Sequence, residues 1–307
     1  MTSAEAVGEA AAAAAVERPR RVRTRRGRDT VAAAAMLAPA AAIFATFFFY
    51  PLYRLVHLSV HQQNRFATAE RFVGLDQYTS SGVQEEFLDG LRISGTYVLY
   101  TVPLGLVLGV LLAVAAHRQL KGIKVFQGIF SSTIATSVAV ASVVFFVLIN
   151  PQVGYFGDVA WLSLRDPDTA LRGVALSSVW QNLGLTFVIV LAGLQAIPEE
   201  VNEAATLDGY GGIRRFFRIT VPLISPTLLF LGVVLVIFAF QAYAQVDILT
   251  GGGPAASTET LVFKIFNSQQ PIDQGEGAVL SIGLFVITLV VSLVQFLLLE
   301  KRVHYGS

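Results

Sequence analysis

Six apolar stretches, each roughly 20 residues long and without a charged side chain, recur along the chain. They run over about Val31–Tyr53, Ser94–Ala116, Val125–Ile149, Gly173–Gln195, Pro222–Val246 and Gly277–Leu299. At about 1.5 Å of rise per residue, a helix of that length crosses a hydrocarbon layer about 30 Å thick. Hydrocarbon offers no partner to backbone N–H and C=O groups, so each stretch must be a helix or belong to a closed barrel. Barrel strands alternate polar with apolar residues, and these stretches do not. The fold class expected is therefore all-α, a polytopic membrane protein with six transmembrane helices. One such stretch could be the buried helix of a soluble protein; six cannot, in a chain with 54% hydrophobic and 14% charged residues. Soluble domains average about 25% charged.

The sequence contains no cysteine, which removes thiolate metal sites and disulfides from consideration. Residues 1–30, Ala-rich and then Arg-rich, are expected to form a disordered basic cytoplasmic tail. Arg20–Arg21 invites a twin-arginine reading, but the run from Val31 is longer than a signal core and five further spans follow. The six-helix transmembrane domain is read as 31–300, followed by a short cytoplasmic C-terminal tail, 301–307. With the N-terminus inside, Arg18–Arg28, the link His117–Lys124, the segment Ala196–Val221 and Lys301–Arg302 all face the cytoplasm. These hold most of the Lys and Arg, whereas Arg54, Arg65, Arg71, Arg92, Arg165, Arg172 and Lys264 lie in or beside outer loops. The positive-inside rule supports this orientation, with both termini cytoplasmic.

The inner loop 196–221 carries its own helix punctuation. Pro198 suits a first helical position, Glu199 and Glu200 suit the positive end of the helix dipole, and Gly209 can adopt the left-handed conformation that ends a helix. A short helix lying along the membrane face is expected, then a second basic one over Tyr210–Ile219. On these residues alone a plain connector remains an alternative.

Within that loop, Glu203-Ala204-Ala205, Asp208-Gly209, Ile219 and Pro222 stand at fixed spacings. The series resembles the EAA signature of binding-protein-dependent ABC importer permeases, with Val221 in place of the Leu that usually precedes the proline. The resemblance implies a type I importer permease fold in which this loop, through Glu203, Ala204, Ala205, Asp208, Gly209, Ile219 and Pro222, couples to an ATPase. In that setting Ala204 and Ala205 are small enough for close helix approach, and Glu203 offers a carboxylate to a basic ATPase residue. The implied partners are a second homologous permease, two ATPase subunits and an extracytoplasmic solute-binding protein, with membrane lipid around them and no nucleic acid. ATP and Mg would sit on the ATPase; this chain is expected to be no enzyme and to hold no cofactor or metal. It contains no G-x-x-x-x-G-K-[ST] sequence.

Leu249-Thr-Gly-Gly-Gly-Pro254, followed by Thr258 through Phe266, and Phe72-Val-Gly-Leu-Asp-Gln-Tyr78 resemble outer loops of carbohydrate-class importer permeases. Gly212–Ile219 and Val294–Tyr305 are similar to the A-type permeases of glycerol-3-phosphate and glycerophosphodiester transporters. The resemblance spans about Val31 to Tyr305 and implies a sugar, polyol or phosphorylated polyol as cargo. A neutral di- or oligosaccharide is the alternative within the family.

No span has Asp, Glu, Lys, Arg or His in its centre, which argues against an ion-coupled secondary carrier. Uncharged polar residues do occur there. Gln181 and Asn182 in the fourth span, and Gln241, Tyr243 and Gln245 with Phe238 in the fifth, are the candidates for lining a solute pathway. Gln241 and Gln245, four apart, are expected to share one helix face. Amides hydrogen-bond hydroxyls, and aromatic rings cover the apolar faces of sugars. Helix–helix hydrogen bonding is the competing reading for each residue singly; Trp180 and Gln295 suit packing.

Overall fold

A computed structural model of the chain describes residues 26–117, 121–268 and 270–300. The two expected tails fall outside them, the N-terminal one up to residue 25 and the C-terminal one entirely. Met1–Arg54 and Leu55–Ser307 are separate compact units.

The described part of the first unit is helical. Helix α1 (Arg26–Phe44) runs through a π-helical turn, Ala45–Phe49, into α2 (Tyr50–Ser59). Tyr50 N–H reaches back five residues to Ala45 C=O. Pro51, two residues past the turn, has no N–H for the carbonyl four residues before it, and widening one turn accommodates that gap. Phe44 and Phe48 (5.4 Å between ring centroids) and Phe48 and Phe49 (5.4 Å) pack on each other along this stretch.

In the second unit a short antiparallel hairpin, β1 (His61–Gln63) with β2 (Glu70–Phe72), pairs His61 with Phe72. It is the one departure from all-α structure among the described residues. A single turn, α3 (Asp76–Thr79), leads to the longest helix, α4 (Ser81–Ala116), which starts 13 residues before the apolar run at Ser94. Next come α5 (Ile123–Ser131), α6 (Val138–Ile149), α7 (Ala170–Gln195), α8 (Glu199–Leu207), α9 (Gly212–Arg215) and α10 (Val221–Leu223). The chain continues through α11 (Ser225–Phe240), α12 (Ala244–Leu249), α13 (Leu261–Asn267) and α14 (Gln274–Glu300).

The core is the packing of α4 and α11 on α7, the most enclosed of the unbroken spans. A Cβ on Gly109 of α4 would collide with the Thr186 side chain of α7, so this glycine lets the two backbones approach closely. Around that contact, Ala113, Phe187, Leu194, Ile224 and Leu231 form one buried cluster, and Tyr97, Val174, Leu235, Phe240 and Val246 belong to another.

Two expected spans are not straight. The third breaks between a 3-10 turn ending at Ala135 and α6, with a bend of 106°. The cause is a hydroxyl-rich run: Ser132 Oγ donates to Ile129 C=O (2.7 Å) and Thr133 Oγ to Phe130 C=O (3.2 Å). Thr136 then turns extended, and Ser137 Oγ caps α6 by accepting from Val140 N–H at 3.3 Å. Such side chains offer the backbone an alternative to the helical ladder. The fifth span bends by 70° at Ile224, between α10 and α11. Pro226 has no N–H for Pro222 C=O, and Ser225 Oγ takes that carbonyl instead at 2.6 Å. The same span breaks again at Gln241–Tyr243, where Thr260 Oγ donates to Ala242 C=O at 3.4 Å.

Candidate transport pathway and coupling segment

A cavity of about 670 Å³ opens among α4, α7, α11, α12 and α13. All six residues singled out as pathway candidates line it: Gln181, Asn182, Phe238, Gln241, Tyr243 and Gln245. They converge by a route the sequence did not indicate. Gln241 and Gln245 do not share one helix face, because α11 ends at Phe240 and Gln245 belongs to α12. The break turns the two helices about the cavity; Gln241 is exposed to it and Gln245 is buried in its wall. Asn182 is held by donating to Ser178 C=O at 3.0 Å, which leaves its amide oxygen for other donors.

Further contributors escaped the sequence reading. Tyr97 and Ser178 are hydrogen-bonded to each other in the cavity wall, and Thr101 donates to Tyr97 C=O at 2.9 Å. Tyr97, Thr101 and Gly105 recur every four residues on α4, a polar and small-residue stripe visible in the sequence. Phe266 comes from α13 in an outer loop and stacks on Tyr243 with centroids 4.1 Å apart; Phe263 lies 5.9 Å from the same ring. Nothing in the sequence connects that loop helix to the cavity. Trp180 packs against Phe145 (5.7 Å), and Gln295 meets Gly232 of α11, both as helix contacts.

The second site is the segment between α7 and α11. Helix α8 forms as expected, except that Pro198 stands at its N-cap with φ −57° and ψ 142° rather than inside the first turn. At the other end Gly209 has φ +75°. Tyr210 N–H bonds Ala205 C=O (3.0 Å) and Gly209 N–H bonds Thr206 C=O (3.1 Å), the paired bonds of a left-handed helix stop. Glu203, Ala204 and Asp208 are exposed, as is Leu207 at 89%. Ala205 is not: it is buried at 3% against its own chain, so its small size serves internal packing and not an approach from outside. The basic helix expected over Tyr210–Ile219 is shorter and irregular, α9 followed by a π-helical turn Phe216–Thr220 that contains half-buried Ile219. Pro222 lies in α10. Ile213 (80% exposed) and Phe217 (65% exposed) add to the apolar surface beside α8.

Residues 97–304 match the family described as binding-protein-dependent transport system inner membrane component, and the chain belongs to that family. It is a multi-pass permease subunit of an ABC importer. The sn-glycerol-3-phosphate transport system permease protein UgpA of Agrobacterium fabrum is 33% identical over 279 residues, covering 88% of this chain and 95% of that protein. The protein of the same description in Yersinia enterocolitica is 32% identical over 278 residues, again 88% of this chain, and 94% of its own length. A chain in the crystal structure of a bacterial alginate ABC transporter, in complex with alginate pentasaccharide-bound periplasmic protein, superposes with a TM-score of 0.78. That match covers 94% of this chain and 100% of the other at 19% identity, a likeness of fold alone.

Proposed function

We propose that the chain forms half of a translocation pathway for glycerol-3-phosphate, a glycerophosphodiester or a related polyol. In this reading ATP hydrolysed on two separate ATPase subunits drives transport through α8 and Gly209, and a second homologous permease and an extracytoplasmic binding protein complete the machine. The observation that carries the reading is the cavity, where amides, hydroxyls and stacked aromatic rings converge from five helices. That mixture suits a small polyhydroxylated solute: amides exchange hydrogen bonds with hydroxyls, and rings cover C–H faces. The two permease relatives described above support a phosphorylated cargo.

A neutral sugar is the second reading, favoured because no Lys or Arg is among the residues that line the cavity. A phosphate ordinarily calls for a cation or several donors. Under the first reading, the second permease supplies that charge.

The exposed apolar and acidic face of α8, with Glu203 and Leu207, supports docking onto the ATPase. The chain itself holds no ATP, metal or cofactor in this scheme, and α8 lies on the cytoplasmic side together with both termini. The deciding experiment is uptake into vesicles containing the whole transporter and its binding protein. Glycerol-3-phosphate uptake that depends on ATP supports the first reading. Uptake of a neutral disaccharide, with none of the phosphate ester, selects the second.

A further inference from the structure

Where α4 and α7 end, a second cavity of about 480 Å³ lies between them and the segment α8–α10. Its wall is apolar, with Leu111 and Val114 of α4 on one side and Phe216 on the other. Its polar side chains are those of His117, Asn202, Arg215 and Thr220, and no carboxylate is among the residues that line it. Arg215 is half-buried and donates one N–H to Thr206 Oγ at 3.5 Å. A guanidinium carries five such donors, and an imidazole offers a donor in either protonation state, so the cavity presents several N–H groups to an acceptor.

The apolar side continues beyond the cavity. Leu104, Val107 and Leu111 are 43%, 55% and 57% exposed and follow one another at helical spacing along α4, ending at Val114 and His117. A cation-bearing hollow at the end of a membrane span, with an exposed apolar track leading from it into the hydrocarbon, has the form of a phospholipid: charge at one end and chain along the other. Basic pockets between spans at the membrane face recognise anionic headgroups.

We propose that this cavity binds an anionic phospholipid, with its phosphate against Arg215, His117 and Asn202 and one acyl chain along Leu104, Val107 and Leu111. The site is separate from the solute cavity, and it joins the occupancy of a lipid to the position of α8, because Arg215 also touches Thr206 of that helix.

The test uses the full-length chain in detergent, with lipid binding followed by native mass spectrometry. Phosphatidylglycerol and phosphatidylcholine of matched chains are titrated in parallel, with inorganic phosphate as a third arm. Phosphatidylglycerol is expected to bind more tightly than phosphatidylcholine. Arg215→Gln removes one facing charge and should weaken it about five-fold, while Arg215→Lys retains most of the affinity. Arg214→Gln is the control, since Arg214 lies over the Tyr210 ring at 5.1 Å and does not line the cavity; it should leave affinity unchanged. Leu111→Trp, on the apolar wall where the cavity meets the chain track, should lower binding by obstructing that track. Equal affinity for the two lipids, or equal losses in Arg214→Gln and Arg215→Gln, overturns the proposal. Displacement of phosphatidylglycerol by inorganic phosphate also overturns it, in favour of a site for the free anion. If Arg215→Gln does not fold, unchanged phosphatidylglycerol affinity in Leu111→Trp overturns it alone.

Discussion

At Gly209 the backbone sits at φ +75°, and a Cβ placed there meets nothing within 4 Å. The Cβ itself therefore adds no clash, and the cost it brings is backbone strain of roughly 1–2 kcal/mol for an L-residue held left-handed. That strain is relieved by extending α8 past its stop and swinging the exposed Glu203–Leu207 surface. Gly209→Val should accordingly leave the permease inserted and expressed, yet weaken ATPase attachment or uncouple hydrolysis from uptake. Gly209→Asn, which tolerates the left-handed region, should be milder. Binding-protein-stimulated ATPase and solute uptake in reconstituted vesicles measure both, and wild-type rates in Gly209→Val reduce the segment to a connector. At the cavity, Gln241→Leu and Gln245→Leu replace amides by side chains of similar volume. Uptake should fall several-fold while the complex still co-purifies intact; loss of assembly instead would make these amides helix contacts.

At the scale of elements, the positions of the spans were legible because hydropathy summed over about 20 residues reports burial in lipid whatever the backbone does locally. For the same reason the breaks were not. Thr136–Ser137 and Gln241–Tyr243 stay within apolar or neutral runs, and only hydroxyl contacts distinguish them from continuous helix. The cavity was partly legible, since an amide in a membrane span is conspicuous, and Gln181, Asn182, Gln241 and Gln245 all line it. Tyr97 and Ser178 pass as ordinary span residues, and Phe266 arrives through a tertiary contact that no local pattern encodes. Element chemistry makes its own prediction. Ser137 Oγ supplies the one side-chain cap of α6, so Ser137→Ala should destabilise the fold by about 1 kcal/mol. Ser137→Asn, which restores an acceptor without adding a charge, should recover part of it. Thermal unfolding of the purified chain compares the three, and an unchanged midpoint in Ser137→Ala would show that the 106° bend does not depend on this cap.

For the molecule as a whole, the mechanism proposed above requires a solute-binding protein and an ATPase to meet opposite faces of the membrane, and the sense of the chain decides which face α8 occupies. Lys121, Lys124, Arg214, Arg215 and Arg218 lie in the connections at the α8 end of the spans. Arg65, Arg71, Arg92, Arg165, Arg172 and Lys264 lie toward the other end, spread more thinly over much longer connections. Because cytoplasmic loops retain Lys and Arg, α8 should be cytoplasmic. The chain has no native cysteine, so single cysteines report cleanly. Two exposed positions suit the measurement: Tyr155, 88% exposed in the loop after α6, and Leu207, 89% exposed at the end of α8. An impermeant maleimide applied to intact spheroplasts should label Tyr155→Cys and spare Leu207→Cys. Leu207→Cys should react only after the membrane is opened and the ATPase stripped away, since ATPase docking would cover it. The reverse pattern would place α8 outside, where no ATP is hydrolysed, and the coupling role of Glu203–Gly209 would fall with the topology.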